Sequence, residues 1–200
     1  MLNQNFVILG GLINLAGISR YVIDTVRGDT KPNRATWLLW AIIPFIAFSA
    51  ELKQGVGLLS IMTLVIGVGP LIVFLASFAD RKSYWKLDNF DKACGVLAFL
   101  AIVAWIATNN SDLAIVLSML AHFLACVPTL IKAYKRPETE SSIVYMTGVT
   151  STAITLLTIK NWSFANFGFP LYIMLISIVC ILVVERPRIL KFRQSKLSAN

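Results

Sequence analysis

The chain has 200 residues, of which 57% are hydrophobic and 14% charged, whereas soluble domains hold roughly 45–50% apolar residues even with glycine counted and about 25% charged ones. No water-soluble fold of this size hides so much apolar surface, so a soluble enzyme or binding domain is excluded. The net charge of +8 invites a nucleic-acid reading, but the basic residues are scattered between apolar runs and form no domain of their own, so no nucleic-acid partner is expected.

The apolar runs predict helices at 6–27, 36–52, 56–79, 91–108, 112–134, 141–160 and 164–184, each about long enough to cross a hydrocarbon core of roughly 30 Å. Helices are required because backbone groups in lipid must be satisfied within their own segment, and no run alternates with the period of a barrel strand. Met1 to Asn5 bring no positive charge before the first run, and no small-residue cleavage site follows it. The first helix is therefore expected to remain and not to be removed as a signal peptide.

The loops differ sharply in charge. Arg20, Arg27, Lys31 and Arg34; Arg81, Lys82, Lys86 and Lys92; Lys132, Lys135 and Arg136; and Arg186, Arg188, Lys191, Arg193 and Lys196 fall on one face, against Lys53 and Lys160 on the other. The positive-inside rule makes the rich face cytoplasmic, with the amino terminus outside and the carboxyl tail inside a plasma (inner) membrane, near anionic headgroups. Tyr84, Trp85, Phe90 and Trp162 read as interfacial aromatics. Cys94, Cys126 and Cys180 are too few and scattered for a disulfide framework and read as buried thiols.

The two halves echo each other. Lys31-Pro32-Asn33-Arg34-Ala35-Thr36 parallels Arg136-Pro137-Glu138-Thr139-Glu140-Ser141 at a spacing of 105. Leu52-Lys53 parallels Ile159-Lys160 at 107, and the segment from Gly69-Pro70 parallels that from Phe169-Pro170 at 100, with Ser77 and Ser177 in step. The expected fold is an all-α membrane protein of two parallel three-helix repeats joined by a linker helix. Residues 1–80 form the first repeat, 81–111 a cytoplasmic loop and the linker, 112–185 the second repeat, and 186–200 a basic tail. Parallel repeats about an axis along the membrane normal are a carrier architecture with a midplane solute site.

This three-one-three pattern, with an outside amino terminus and prolines recurring in both halves, resembles the SWEET and PQ-loop repeat superfamily over nearly the whole chain. The family's Pro-Gln position is occupied by Pro128-Thr129 in the second repeat and by Tyr21-Val22 in the first. The resemblance implies facilitative transport of a small polar solute by alternating access. It equally allows a non-transporting receptor or scaffold on the same fold. By analogy with the polar residues that the family brings from the third helix of each repeat, it also points to Asn166.

Polar groups at mid-depth of a membrane helix are costly and so are functional candidates. Asn14 and His122 lie at matching depths in the two halves, and His122 would be the first group to carry a coupling proton. Thr147, Ser151, Thr155 and Thr158 form one stripe on the sixth helix, which either lines a polar path or bonds its own carbonyls against a neighbouring helix. Trp40 offers a ring face across from them, beside Trp37 and Pro44. Pro44, Pro70, Pro128 and Pro170 interrupt helices and are the expected hinges. The expected ligand is a small neutral or polar solute, with membrane lipid as surroundings and a homo-oligomer left open. His122 and Cys126 alone make no metal site. No cofactor is expected, and no catalytic constellation or Schiff-base lysine in the last helix suggests an enzyme or a rhodopsin.

Overall fold

The computed structural model describes residues 2–79, 86, 88–107 and 110–197; Arg81, Lys82, Tyr84 and Trp85 lie outside the described residues. Among those described, all regular structure is helical: α1 (Phe6–Arg27), α2 (Arg34–Lys53), α3 (Ser60–Ala76), α4 (Asn89–Ile106), α5 (Ser111–Lys135), α6 (Ile143–Thr158) and α7 (Phe164–Leu197). Short 3-10 turns at Gly57–Leu59 and Pro137–Thr139 lead into α3 and α6.

Among the described residues, five segments are long and apolar enough to cross a membrane: Phe6–Arg27, Arg34–Lys53, Gly57–Ala76, Asp112–Lys135 and Phe164–Phe192. A chain with five such helices is built as a multi-pass membrane protein. α6, with 16 residues, falls short of a full span, whereas α4, with 18, is near the lower end of the roughly 17–25 residues that cross a bilayer. Large apolar side chains such as Leu12, Leu75, Phe99 and Leu157 point out of the bundle, while threonines, serines and several charged groups are buried inside it. That inversion of a soluble protein suits a lipid surround.

Helix boundaries follow local chemistry. Asn33 accepts from the Ala35 and Thr36 amides at the start of α2, and Asn110 accepts from the Leu113 amide at the start of α5. Asp88 and Asp91 bond each other's backbone amides at the start of α4, so otherwise orphaned donors are satisfied. Gly28, at φ 82°, turns the chain out of α1, a conformation that glycine adopts without strain.

α3 packs against both α1 and α2, and α7 packs against both α5 and α6. α1 meets α6 and α2 meets α5, which closes a ring of six helices with α4 outside it against α5 and α2. One end of the ring gathers the α1–α2 and α5–α6 connections, where the Lys31 amide donates to the Thr139 carbonyl. The other end gathers the α2–α3 connection and the start of α5, where the Gln54 side-chain carboxamide donates through Nε2 to Asp112 Oδ1.

The carboxyl segment differs from expectation. Residues 186–197 are no separate tail but continue α7, so the helix of 34 residues is about 51 Å long at 1.5 Å per residue. Docking near Pro187 explains the continuity, because Arg186 donates to the Tyr134 carbonyl and lies over the Tyr134 ring.

The α1–α6 seam is set by glycine. A Cβ built at Gly10 would lie 3.0 Å from the Ser151 carbonyl oxygen, and one at Gly17 only 1.9 Å from Thr147 Oγ1. Gly17→Ala must therefore part the helices, at a cost of roughly 1–3 kcal/mol, seen as a lower melting temperature in detergent. Adding Thr147→Ala should recover part of the loss. Gly95→Ala, with nothing within 4 Å of its built Cβ, should show no loss.

Candidate solute-binding site

A cavity lies within the ring, lined by Asn14 and Ile18 of α1, Trp37 and Trp40 of α2, Ile66 and Pro70 of α3, His122 of α5, Val144, Tyr145 and Gly148 of α6, and Ile173, Ile176, Ser177 and Cys180 of α7. The space open to the centre of a water molecule is about 70 Å³, several times the roughly 10–15 Å³ that one water needs. No Asp, Glu, Lys or Arg is among the lining residues. The wall is carbon-rich with a few convergent polar groups, the usual make-up of a small-molecule pocket.

The aromatic side is a connected stack. Trp40 lies parallel to the His122 imidazole, with centroids 5.1 Å apart and planes within 9°, and its indole N–H donates to the His122 carbonyl at 3.2 Å. Trp37 meets Trp40 edge-on at 5.3 Å, and Tyr145 meets Trp40 edge-on at 6.5 Å. His122 Nδ1 and the Tyr172 hydroxyl share a hydrogen bond of 3.0 Å, whose donor depends on the imidazole tautomer. Trp40 and His122 therefore hold each other's planes fixed, and Thr36, which donates to the Ala125 carbonyl, ties the same two helices one turn further along.

Polar capacity is left over in the same wall. The buried Tyr145 hydroxyl and Trp37 indole N–H have no hydrogen-bond partner, and Asn14 and Ser177 have none for their side chains among the described residues. Buried polar groups are nearly always paired, so several together in a cavity wall mark a place where water or a solute supplies the partner.

Of the residues expected at a site, Asn14, Trp40 and His122 are brought together. Thr147, Ser151 and Thr155 are not in the wall. Thr147 donates to the Ile143 and Val144 carbonyls, Ser151 to Gly148 and Thr155 to Ser151. The stripe, at Thr147 and Ser151, packs against Gly17 and Gly10 of α1. Asn166 is also outside the cavity, bonding the Asn161 carbonyl and Ser163 hydroxyl at the start of α7. Pro44, Pro70, Pro128 and Pro170 all lie buried within helices, but only Pro70 borders the cavity. Pro70 and Pro170, paired by sequence, thus differ in their relation to the cavity, which α7 lines with Ile173, Ile176, Ser177 and Cys180 instead. A proline marks a missing amide and not a depth in the membrane.

Sequence reading missed Tyr145, Gly148, Ser177 and Cys180 as wall residues. It also missed a buried network just beyond the Trp37 and Tyr145 end. There the Tyr21 hydroxyl donates to Glu140 at 2.9 Å, Lys132 forms an ion pair with Glu140, and the same ammonium donates to the Lys31 carbonyl at 2.6 Å. Both members of the ion pair have fully buried side chains. Tyr21 stacks obliquely on Trp37 at 4.8 Å, which couples this network to the cavity wall. The available signal was an acid and a base eight residues apart in one loop region, but Lys132 registers in the sequence only as one more positive charge. At the other end of the ring, buried Glu51 accepts from Thr63 at 2.9 Å and leaves its second oxygen without a partner.

No family model matches the chain, and no curated protein or solved structure shows significant similarity to it.

Removing one member of the buried pair strands the other's charge. Lys132→Met should lower the unfolding free energy by roughly 3–5 kcal/mol, whereas Lys132→Met combined with Glu140→Leu should recover much of it. Thermal unfolding in detergent compares the two directly, and equal losses would show that the pair is not buried as described.

Proposed function

We propose that the protein is a membrane carrier for a small uncharged solute, working by alternating access of two three-helix units in the manner of the SWEET and PQ-loop proteins it resembles. The observation that carries this reading is the cavity between the units, with Asn14 from one and His122 from the other in its wall. Such a ligand-sized, charge-free chamber suits a neutral solute, since a buried ion without a counter-charge costs several kcal/mol.

Helix packing supports a duplicated unit. The neighbours α1–α3–α2 are matched by α5–α7–α6, and the α1–α6 seam by the α5–α2 seam. Side chains agree at a spacing of 108: Asn14 with His122, Trp37 with Tyr145, and Trp40 with Gly148 all line the cavity. At the same spacing, Arg34 donates to Ser77 as Ser142 donates to Glu185. In the third helices Ile66 with Ile173 and Pro70 with Ser177 follow at 107. On this reading α4 is the linker that restores the orientation of the second unit.

The two units meet at the basic end through the Tyr21–Glu140–Lys132–Lys31 network, which serves as the cytoplasmic closure. Rocking opens it, with the helix-interior prolines Pro44, Pro70, Pro128 and Pro170 as flexible points. The amino terminus is outside and the carboxyl end of α7 inside. A cysteine introduced by Trp162→Cys should then react with a membrane-impermeant maleimide in intact cells, and one introduced by Glu138→Cys only after permeabilisation. The reverse pattern would invert the topology.

Uptake into proteoliposomes across sugars, nucleosides, nucleobases and amino acids tests the activity. Asn14→Ala and His122→Ala should each slow uptake of the transported solute by about tenfold, the usual worth of one hydrogen bond to a buried partner. Folded protein that takes up none of the panel would favour the receptor or scaffold reading of the same architecture.

A further inference from the structure

The cavity wall is lopsided between its two halves. In one half Trp40 reaches towards α5, stacks on His122 and donates to its carbonyl. The residue 108 positions after Trp40 is Gly148, and the residue 108 positions before His122 is Asn14. Both line the cavity. The second half therefore lacks the ring that would lie over Asn14 as Trp40 lies over His122.

Glycine at 148 also uncovers a hydroxyl. A Cβ built there would sit 3.2 Å from Ser177 Oγ, tight enough that any other residue must displace or cover it. The notch at Gly148 thus opens beside Ser177, in a wall that also holds Asn14; neither side chain has a hydrogen-bond partner among the described residues. The Tyr145 hydroxyl and the Trp37 indole N–H are further unpartnered groups of the same wall, and the remainder is aliphatic and aromatic apart from the His122 imidazole and the Cys180 thiol.

We infer that the solute is a neutral planar heterocycle of single-ring size, which enters the Gly148 notch and takes the place over Asn14 that an aromatic side chain would otherwise fill. The inference rests on the pairing of the two helix triplets in the carrier reading. A ring with an amide-like edge offers a donor beside an acceptor, and the Asn14 carboxamide offers the complementary acceptor and donor. Ser177 and Tyr145 remain for one further polar atom. A hexose fits this wall less well than a planar ring, because it carries hydroxyls all round its edge while most of the lining is carbon, and each hydroxyl left unpaired costs about 1–3 kcal/mol. A charged ring has no counter-charge in the lining residues.

Uracil and glucose discriminate as probes, with equilibrium dialysis of the radiolabelled compounds against the purified full chain in detergent. Uracil should bind and glucose should not. Asn14→Leu and Gly148→Val should each weaken uracil binding by about tenfold or more, with melting temperature checked in parallel. Should Gly148→Val fail to fold, Gly148→Ala adds only the Cβ that crowds Ser177 and should still weaken binding, while Ser177→Ala reports on the hydroxyl itself. Glucose binding as well as uracil, no binding of either, or uracil binding indifferent to Asn14→Leu and the Gly148 variants would each overturn the inference. Uracil that binds with this mutational pattern but is not taken up by proteoliposomes would leave the ring site standing and remove the carrier reading. Glucose uptake without uracil uptake would do the opposite.

Discussion

The two seams of the helix ring that enclose the cavity are closed by different means. On the α1–α6 side, Gly10 and Gly17 let backbone meet backbone and the facing hydroxyls turn back onto their own helix. On the α2–α5 side, Thr36 and Trp40 reach across to the carbonyls of Ala125 and His122. In a lipid surround there is little hydrophobic drive to press helices together, so close packing of small residues and interhelical hydrogen bonds must do so. One seam uses each device, and the open space lies inside the ring between them.

Much of this was legible from composition and spacing. The lengths of apolar runs located the helices, because burial in lipid is a property of about 20 consecutive residues and needs no tertiary information. Asn14, Trp40 and His122 were found because a polar or indole group at mid-depth is conspicuous against an apolar background. The hydroxyl stripe was also real, yet its destination was not readable from α6 alone. Periodicity says which residues share a face, not which helix that face meets. Gly10 and Gly17 held the missing information, since a glycine row on another helix calls for a short-side-chain partner.

Pro70 and Pro170 show a related limit, since only the first lines the cavity. Identical residues attract an alignment, but what a duplicated fold would preserve is depth and direction, and these survive a change of residue type. Trp37 and Tyr145, or Trp40 and Gly148, which the proposed duplication would pair, line the cavity without sharing chemistry. Lys132 was hidden in the same manner. As one of 18 Lys and Arg residues it contributed to topology, whereas its burial against Glu140 depends on a turn at Pro137–Thr139 that returns the acid to the base.

That turn bears on how the proposed cytoplasmic closure would open at modest cost. Lys132 belongs to α5 and Glu140 to the loop just after it, so in the proposed carrier both charges would belong to one three-helix unit and travel together. Within this network the contacts that would cross between units are the Tyr21 hydroxyl to Glu140, the Lys132 ammonium to the Lys31 carbonyl, and the Lys31 amide to the Thr139 carbonyl. Three such bonds, at a net worth of about 0.5–1.5 kcal/mol when neutral and about 1.5–3 when one partner is charged, amount to a few kcal/mol. A difference of that size is what separates two interconverting states. Had the ion pair itself bridged the units, opening would separate two buried charges, and the far larger penalty would hold the bundle shut.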